Sequence, residues 1–239
     1  IWTSWIVRRR PDIVSDQPPE PSFAPGRPRA IVFDWDNTLV DSWPLIHEAY
    51  AATHRALDLP EVSLAELQAT AHESLRDRFP RIYGERWQEA RSIYLQTFLE
   101  RHLDRLTPLA GTAAALARLH GAGIYMCLVS NKVGATLRAE VAKLGWEHFF
   151  GAMIGSGDAP ADKPDIAPVL MALAPGHMAP GSDVWFVGDS IIDLECAHRS
   201  GCLPVLVAEN SHSNAQTGAF PPRLRLTATH ELVSHVGLA

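Results

Sequence analysis

The stretch Ala30-Ile31-Val32-Phe33-Asp34-Trp35-Asp36-Asn37-Thr38-Leu39-Val40-Asp41 decides how the rest of the chain is read. It opens as a short apolar run that ends abruptly in Asp34, the pattern of a buried strand with a polar tip. A second carboxylate, Asp36, follows two residues later, where the chain has left the strand and both groups can converge on one centre. A carboxylate is a usable nucleophile toward phosphorus, and a neighbouring one can shuttle the proton of the leaving group. A metal ion is then needed to neutralise the pair and an incoming phosphate. Alone, a D-x-D pair occurs often by chance.

Working outward, four later segments resemble the first: residues 124–129, 152–154, 184–187 and 203–207. Helical patterns lie between them at 112–120, 133–144, 165–173 and 190–200. Strands alternating with helices through short turns predict an α/β fold, a Rossmann-like doubly wound parallel sheet covered on both faces. Ligands of such sheets sit at the carboxyl ends of the strands. Residues 43–106 break the alternation. Amphipathic helices are expected there at 45–57, 64–79 and 87–103, with apolar residues at spacings of three and four. This reads as an inserted all-helical cap, leaving 30–42 and 107–239 as the catalytic core.

Residues 1–29 differ in texture. Trp2, Trp5 and Arg8-Arg9-Arg10 precede a run rich in proline, so an extended or disordered segment is expected, with a targeting or membrane-surface role as the alternative. The chain has 239 residues, is 46% hydrophobic and carries a formal charge of −6, which argues against nucleic acid or an anionic membrane as its partner. No apolar run approaches the roughly 18 residues of a membrane span. Three cysteines, Cys127, Cys196 and Cys202, form no C-x-x-C pair and read as buried thiols of a reducing, cytoplasmic protein.

Polar residues follow the later strands too. Ser130-Asn131 closes the second strand and offers a hydroxyl and backbone amides suited to a phosphate oxygen, though Ser-Asn is also an ordinary turn pair. Lys163 precedes Pro164, which can occupy the first turn of the next helix; its ammonium can pair with phosphate and nucleophile, or simply be solvated. In Gly188-Asp189-Ser190-Ile191-Ile192-Asp193, both carboxylates can face one hard cation. The alternative is a helix start capped by Ser190, with Asp193 complementing the dipole.

Taken together, and in this order, these stations resemble the four motifs of the haloacid dehalogenase superfamily from Ala30 to the C-terminus. The resemblance implies a phosphatase in which Asp34 attacks phosphorus to form an aspartyl-phosphate. Asp36 would protonate the leaving oxygen and then deprotonate water. It implies magnesium at Asp34, Asp36 (through its carbonyl) and Asp189. Asp193 joins the metal group, more as a residue that orients Lys163 or metal-bound water than as a direct ligand. Ser130, Asn131, Lys163 and Thr38 are the implied phosphate contacts. Dehalogenases of the superfamily lack an acid two residues after the nucleophile, so carbon–halogen cleavage is not expected here. Asn37 stands where many relatives carry glycine and tolerates the same backbone. The cap position and the motif wording are most similar to phosphoglycolate phosphatases, acting on a small phosphorylated metabolite. Arg76, Arg78 and Arg81 are then candidate cap contacts for a substrate carboxylate, Arg76 first among them. His47, His54, His72 and His102 read as ordinary cap residues. A phosphomutase resembling β-phosphoglucomutase, or a non-catalytic binding protein, would share the layout.

Overall fold

The computed structural model describes residues 26–70, 75–207 and 217–238. Most of the expected N-terminal extension and His72 lie outside that range. Six parallel strands form one sheet: β1 Ala30–Phe33, β2 Tyr125–Val133, β3 Ala152–Ser156, β4 Val184–Gly188, β5 Leu203–Val207 and β6 Leu224–Leu226. Their spatial order is β3-β2-β1-β4-β5-β6. The short edge strand β6 was not expected: three residues with one buried side chain carry no readable period.

Alternation along the strands builds two cores. Ile31 and Phe33, Met126 and Leu128, and Trp185 and Val187 face one side. There they pack with α5 (Thr112–Gly121) and α6 (Gly134–Leu144) through Leu116, Leu119, Leu137 and Val141. Ala30, Val32, Cys127, Val129, Val184 and Phe186 face the other side. They meet α7 (Ala167–Leu173) and α8 (Ile191–Ser200) through Val169, Leu173, Cys196 and Ala197. Because both faces are covered, the central strands are apolar throughout. The three cysteines are free and buried.

Strand β1 is the pivot. It pairs with β2 on one flank and β4 on the other, Phe33 lying opposite Leu128 and Val187. The chain winds from β1 through β2 to β3 in one direction, then crosses back to β4 and winds the opposite way. The crevice beyond the tips of β1 and β4 is therefore the topological switch point, where such sheets bind ligands.

Between β1 and β2 come the helices α1 (Trp43–Ala56), α2 (Leu64–Thr70), α3 (Leu75–Tyr83) and α4 (Trp87–Arg101). The single helix expected at 64–79 corresponds to α2 and α3, residues 71–74 lying outside the described range. These helices enclose a separate cluster around Leu45, Tyr50, Leu67, Phe79, Tyr94 and Phe98. The rings of Tyr50, Phe79 and Tyr94 meet pairwise at 5.0–5.8 Å between centroids, the tilted and edge-on geometry that aromatic rings prefer. The chain leaves and re-enters the core side by side: Asp41 N–H donates to Thr107 O at 2.8 Å, and Leu109 N–H to Leu39 O at 3.0 Å. Among the described residues no helix is long and apolar enough to cross a membrane.

Candidate active site

Asp34 continues the sheet register one residue past β1, its N–H donating to Val187 O at 2.9 Å. By that register it lies beside Val129 and Gly188, with Ser130 and Asp189 one residue further along their own chains. Three strand tips thus present Asp34, Ser130 and Asp189 in a row. Beyond Asp34 the chain turns sharply, with Asn37 in the left-handed region at φ 61° and its side chain accepting from Ser42 N–H at 3.1 Å. Asparagine is one of the few non-glycine residues at ease there.

Lys163 is delivered to this row by a loop. Its backbone N–H donates to Asn131 Oδ1 at 2.9 Å, while Asn131 Nδ2 donates to Lys163 O at 3.1 Å. The Asn131 side chain is thus committed to clamping two loops together, and the phosphate contact expected of this residue is through its backbone amide. Pro164 does not open the following helix: it follows a cis peptide bond, and α7 starts at Ala167 with Pro168 in its first turn. The ammonium of Lys163 is 4% exposed as a residue and lies 2.7 Å from both Asp34 Oδ1 and Asp193 Oδ1. Burial pulls its pKa down, but the two carboxylates outweigh burial and hold it above the ordinary lysine value.

Asp193 reaches Lys163 from the first turn of α8, its other oxygen accepting from Ser190 N–H at 3.1 Å and Ser190 Oγ at 2.5 Å. Two of the sequence expectations for this residue meet here: it serves the helix start and the lysine together. Gly188 makes room for it, since a Cβ there would stand 2.3 Å from the Asp193 carboxyl carbon.

The carboxylates of Asp34, Asp189 and Asp193 have ligand oxygens within 4.8 Å of one another. Asp189 makes no hydrogen bond and no ion pair among the described residues. Burial first, then the charges of Asp193 and Asp34, lift its pKa well above the ordinary value. Asp34 is likewise pushed up to about 6, chiefly by burial, which outweighs the opposing pull of Lys163. With Asp34 and Asp193 buried and Asp189 half-buried, this partly uncompensated group of hard oxygen donors suits a divalent cation of the magnesium kind.

The side chain of Asp36 stands outside this group. Its Oδ1 accepts from Ser42 Oγ, the residue capping α1, and pairs with Lys132 Nζ at 2.8 Å. Lys132 in turn contacts Glu140 at 2.7 and 2.9 Å, and Glu140 accepts from Trp35 Nε1 at 2.6 Å and lies 3.0 Å from His102 Nδ1. None of Lys132, Glu140 or Ser42 stood out in the sequence; the only signal was Lys132 following Ser130-Asn131. His102 departs from its expected role as an ordinary cap residue, because it joins the end of α4 to the core helix α6. His47 and His54 do bond locally, to the carbonyls of Val62 and Pro60.

Two other expected contacts resolve differently. Thr38 is fully buried, its hydroxyl without a partner among the described residues and its carbonyl accepting from Thr229 Oγ1 at 2.5 Å. It has no surface to offer a phosphate and is corrected to an internal residue of the turn. Arg76 falls in α3, but its side chain lies outside the described residues. Its neighbour Arg78 is buried against the Tyr50 ring at 4.9 Å, whereas Arg81 is exposed.

The architecture is shared with solved proteins. A haloacid dehalogenase-like family hydrolase from Streptococcus pneumoniae superposes with a TM-score of 0.76 at 22% identity, covering 86% of this chain and 97% of its own. The family model for haloacid dehalogenase-like hydrolases matches residues 31–207. The phosphoglycolate phosphatase of Cereibacter sphaeroides is 32% identical over 75% of this chain and 84% of its own length. That of Vibrio cholerae is 30% identical over 73% and 81%. The chain belongs to the haloacid dehalogenase-like hydrolases. Within that family it is a hydrolase of the phosphatase kind, resembling phosphoglycolate phosphatases.

Proposed function

We propose that this hydrolase is a magnesium-dependent phosphomonoesterase that cleaves a small phosphorylated metabolite, of the phosphoglycolate type, through an aspartyl-phosphate on Asp34. The observation that carries the reading is the Lys163 ammonium bridging Asp34 and Asp193 at 2.7 Å beside an unpaired Asp189. A nucleophile, its cationic partner and a carboxylate lacking a counter-charge stand together at the switch point of the sheet.

An oxygen of Asp34 attacks phosphorus as the ester P–O bond breaks, and Asp36 gives its proton to the departing oxygen. Water then attacks the phosphoaspartate, Asp36 takes back a proton, and Asp34 is released with inorganic phosphate. Ser130 and Lys163 hold phosphoryl oxygens through both steps, so positioning and charge stabilisation supply most of the rate. Asp34 and Asp189, with the Asp36 carbonyl, would hold magnesium, which supplies neutralising charge to the nucleophile and phosphate. Asp193 acts through Lys163. Residues 43–106 serve as a lid over a core made of 30–42 and 107–239, excluding water and limiting substrate size. The acid at Asp36 favours an alkoxide leaving group over a halide. Three buried free thiols favour a reducing, cytoplasmic setting.

The test is phosphate release from a panel of small esters that includes 2-phosphoglycolate and sugar phosphates, with magnesium and with chelator. Magnesium-dependent release from one ester, lost in Asp34→Asn, is the expected result. Release that persists in Asp34→Asn refutes the covalent route, and isomerised sugar phosphate without free phosphate makes the protein a mutase.

A further inference from the structure

Lys132 and Glu140 take no part in the route above, yet both are buried ions. Their side chains are 6% and 1% exposed. Ions so placed are expensive to desolvate, and apolar residues of similar volume would often serve stability as well or better. Their contacts suggest what they do for the site. The three N–H donors of Lys132 go to Asp36 Oδ1 and to both oxygens of Glu140, leaving none for a ligand. Glu140 is itself fixed by Trp35 Nε1 and His102 Nδ1, so the lysine rests on a carboxylate that cannot swing. The Phe98 ring lies 4.8 Å from the same ammonium.

At Asp36 the two partners converge on one oxygen. Lys132 and Ser42 both engage Oδ1, while Oδ2 has no hydrogen bond among the described residues. One oxygen is anchored and the other is left unengaged. A carboxylate on a turn, without such anchoring, would rotate freely about its side-chain torsions.

We propose that Lys132, braced by Glu140, is a positioning residue that holds Asp36 by Oδ1 so that Oδ2 faces the leaving oxygen. The inference rests on the reading of Asp36 as the acid. It predicts a dependence on the leaving group, because an alkoxide must be protonated on departure and a nitrophenolate need not be.

The experiment is single-turnover release of the alcohol with magnesium, which isolates the first chemical step. An alkyl phosphate hydrolysed by the wild type is compared with p-nitrophenyl phosphate. Lys132→Met is expected to slow alkyl ester cleavage about a hundredfold, the scale of a catalytic group misplaced by about 1 Å, with far less effect on the aryl ester and on the half-saturating concentration. Asp36→Asn should show the same selectivity more strongly, and Lys132→Arg should recover part of the rate. Lys132→Met combined with Glu140→Gln removes the unpaired buried carboxylate that could compromise folding, and should keep the selectivity. Equal slowing of both esters by the Lys132 variants, or weakened saturation at an unchanged rate, overturns the positioning role. Absence of selectivity in Asp36→Asn overturns the acid assignment and this inference with it, whereas its absence in the Lys132 variants alone leaves that assignment standing.

Discussion

Asp34→Asn should make the protein more stable when metal is chelated, although it abolishes activity. The carboxyl of Asp34 is pushed from the ordinary 3.8 up to about 6, chiefly by burial. Keeping it ionised at pH 7 therefore costs the metal-free fold about 3 kcal/mol. Asparagine removes that penalty but also the contact with Lys163, which keeps Asp193 at 2.7 Å. A net gain of about 1–3 kcal/mol follows, or roughly 2–10 °C in Tm for a chain of this size. Because the folded-state pKa is raised, the penalty is full above about pH 6 and fades as pH falls toward 3.8. The advantage of the variant should shrink over the same interval. Magnesium should reverse the order, since a cation at Asp34 and Asp189 rewards the charge that burial penalises. Thermal unfolding at pH 7 and pH 5, with chelator and with magnesium, tests all of this. A chelated variant less stable than the wild type at pH 7 would refute the account of Asp34 as a carboxylate held ionised against its surroundings.

Lys163→Met strands two buried carboxylates and should destabilise the metal-free protein by about 3–5 kcal/mol in urea titrations, with activity lost. Gly188→Ala drives a Cβ against Asp193, so a loss of about 1–3 kcal/mol is expected, with a fall in kcat that exceeds any change in KM. Trp35→Phe keeps a ring against Trp146 but deletes the 2.6 Å bond to Glu140; chemical denaturation should register about 1–3 kcal/mol. Cys127, Cys196 and Cys202 are buried, and desolvation raises each thiol, Cys196 to about 12. A thiol reagent at pH 8 should label none of them until denaturant is added.

The residues that sequence reasoning located best are those at strand ends. Asp34, Ser130 and Asp189 could be placed together because a parallel sheet aligns its carboxyl tips, and each tip ends an unmistakable apolar run. Lys163 and Asp193 were paired through the family resemblance; one lies in the loop after β3 and the other in the first turn after β4. Legibility fails where partners come from elements with no shared period. Glu140 occupies a helical position like any other acid, and only folding brings it under Lys132 and Asp36. Thr38 shows the converse. It has the right chemistry for phosphate and lies close to Asp34 and Asp36 in the chain, but it is sealed inside its turn. Pro164 predicted a helix start three residues early because proline suits a helix's first turn and also the loop that precedes it.

The paired linkers at Leu39–Leu109 and Asp41–Thr107 carry a consequence of their own. A segment whose two ends are hydrogen-bonded to each other meets the sheet at one closed point, so changes in its length away from Ser42, Phe98 and His102 need not move the strand tips. Joining residue 40 to residue 108 through a tight turn would uncover the strand tips but also remove Ser42, Phe98 and His102, which touch Asp36, Lys132 and Glu140. On the proposed reading of residues 43–106 as a lid, substrate size and bond-breaking chemistry are separable traits so long as those three side chains are kept. Selection can revise the first by editing one insertion while every strand tip stays where it is.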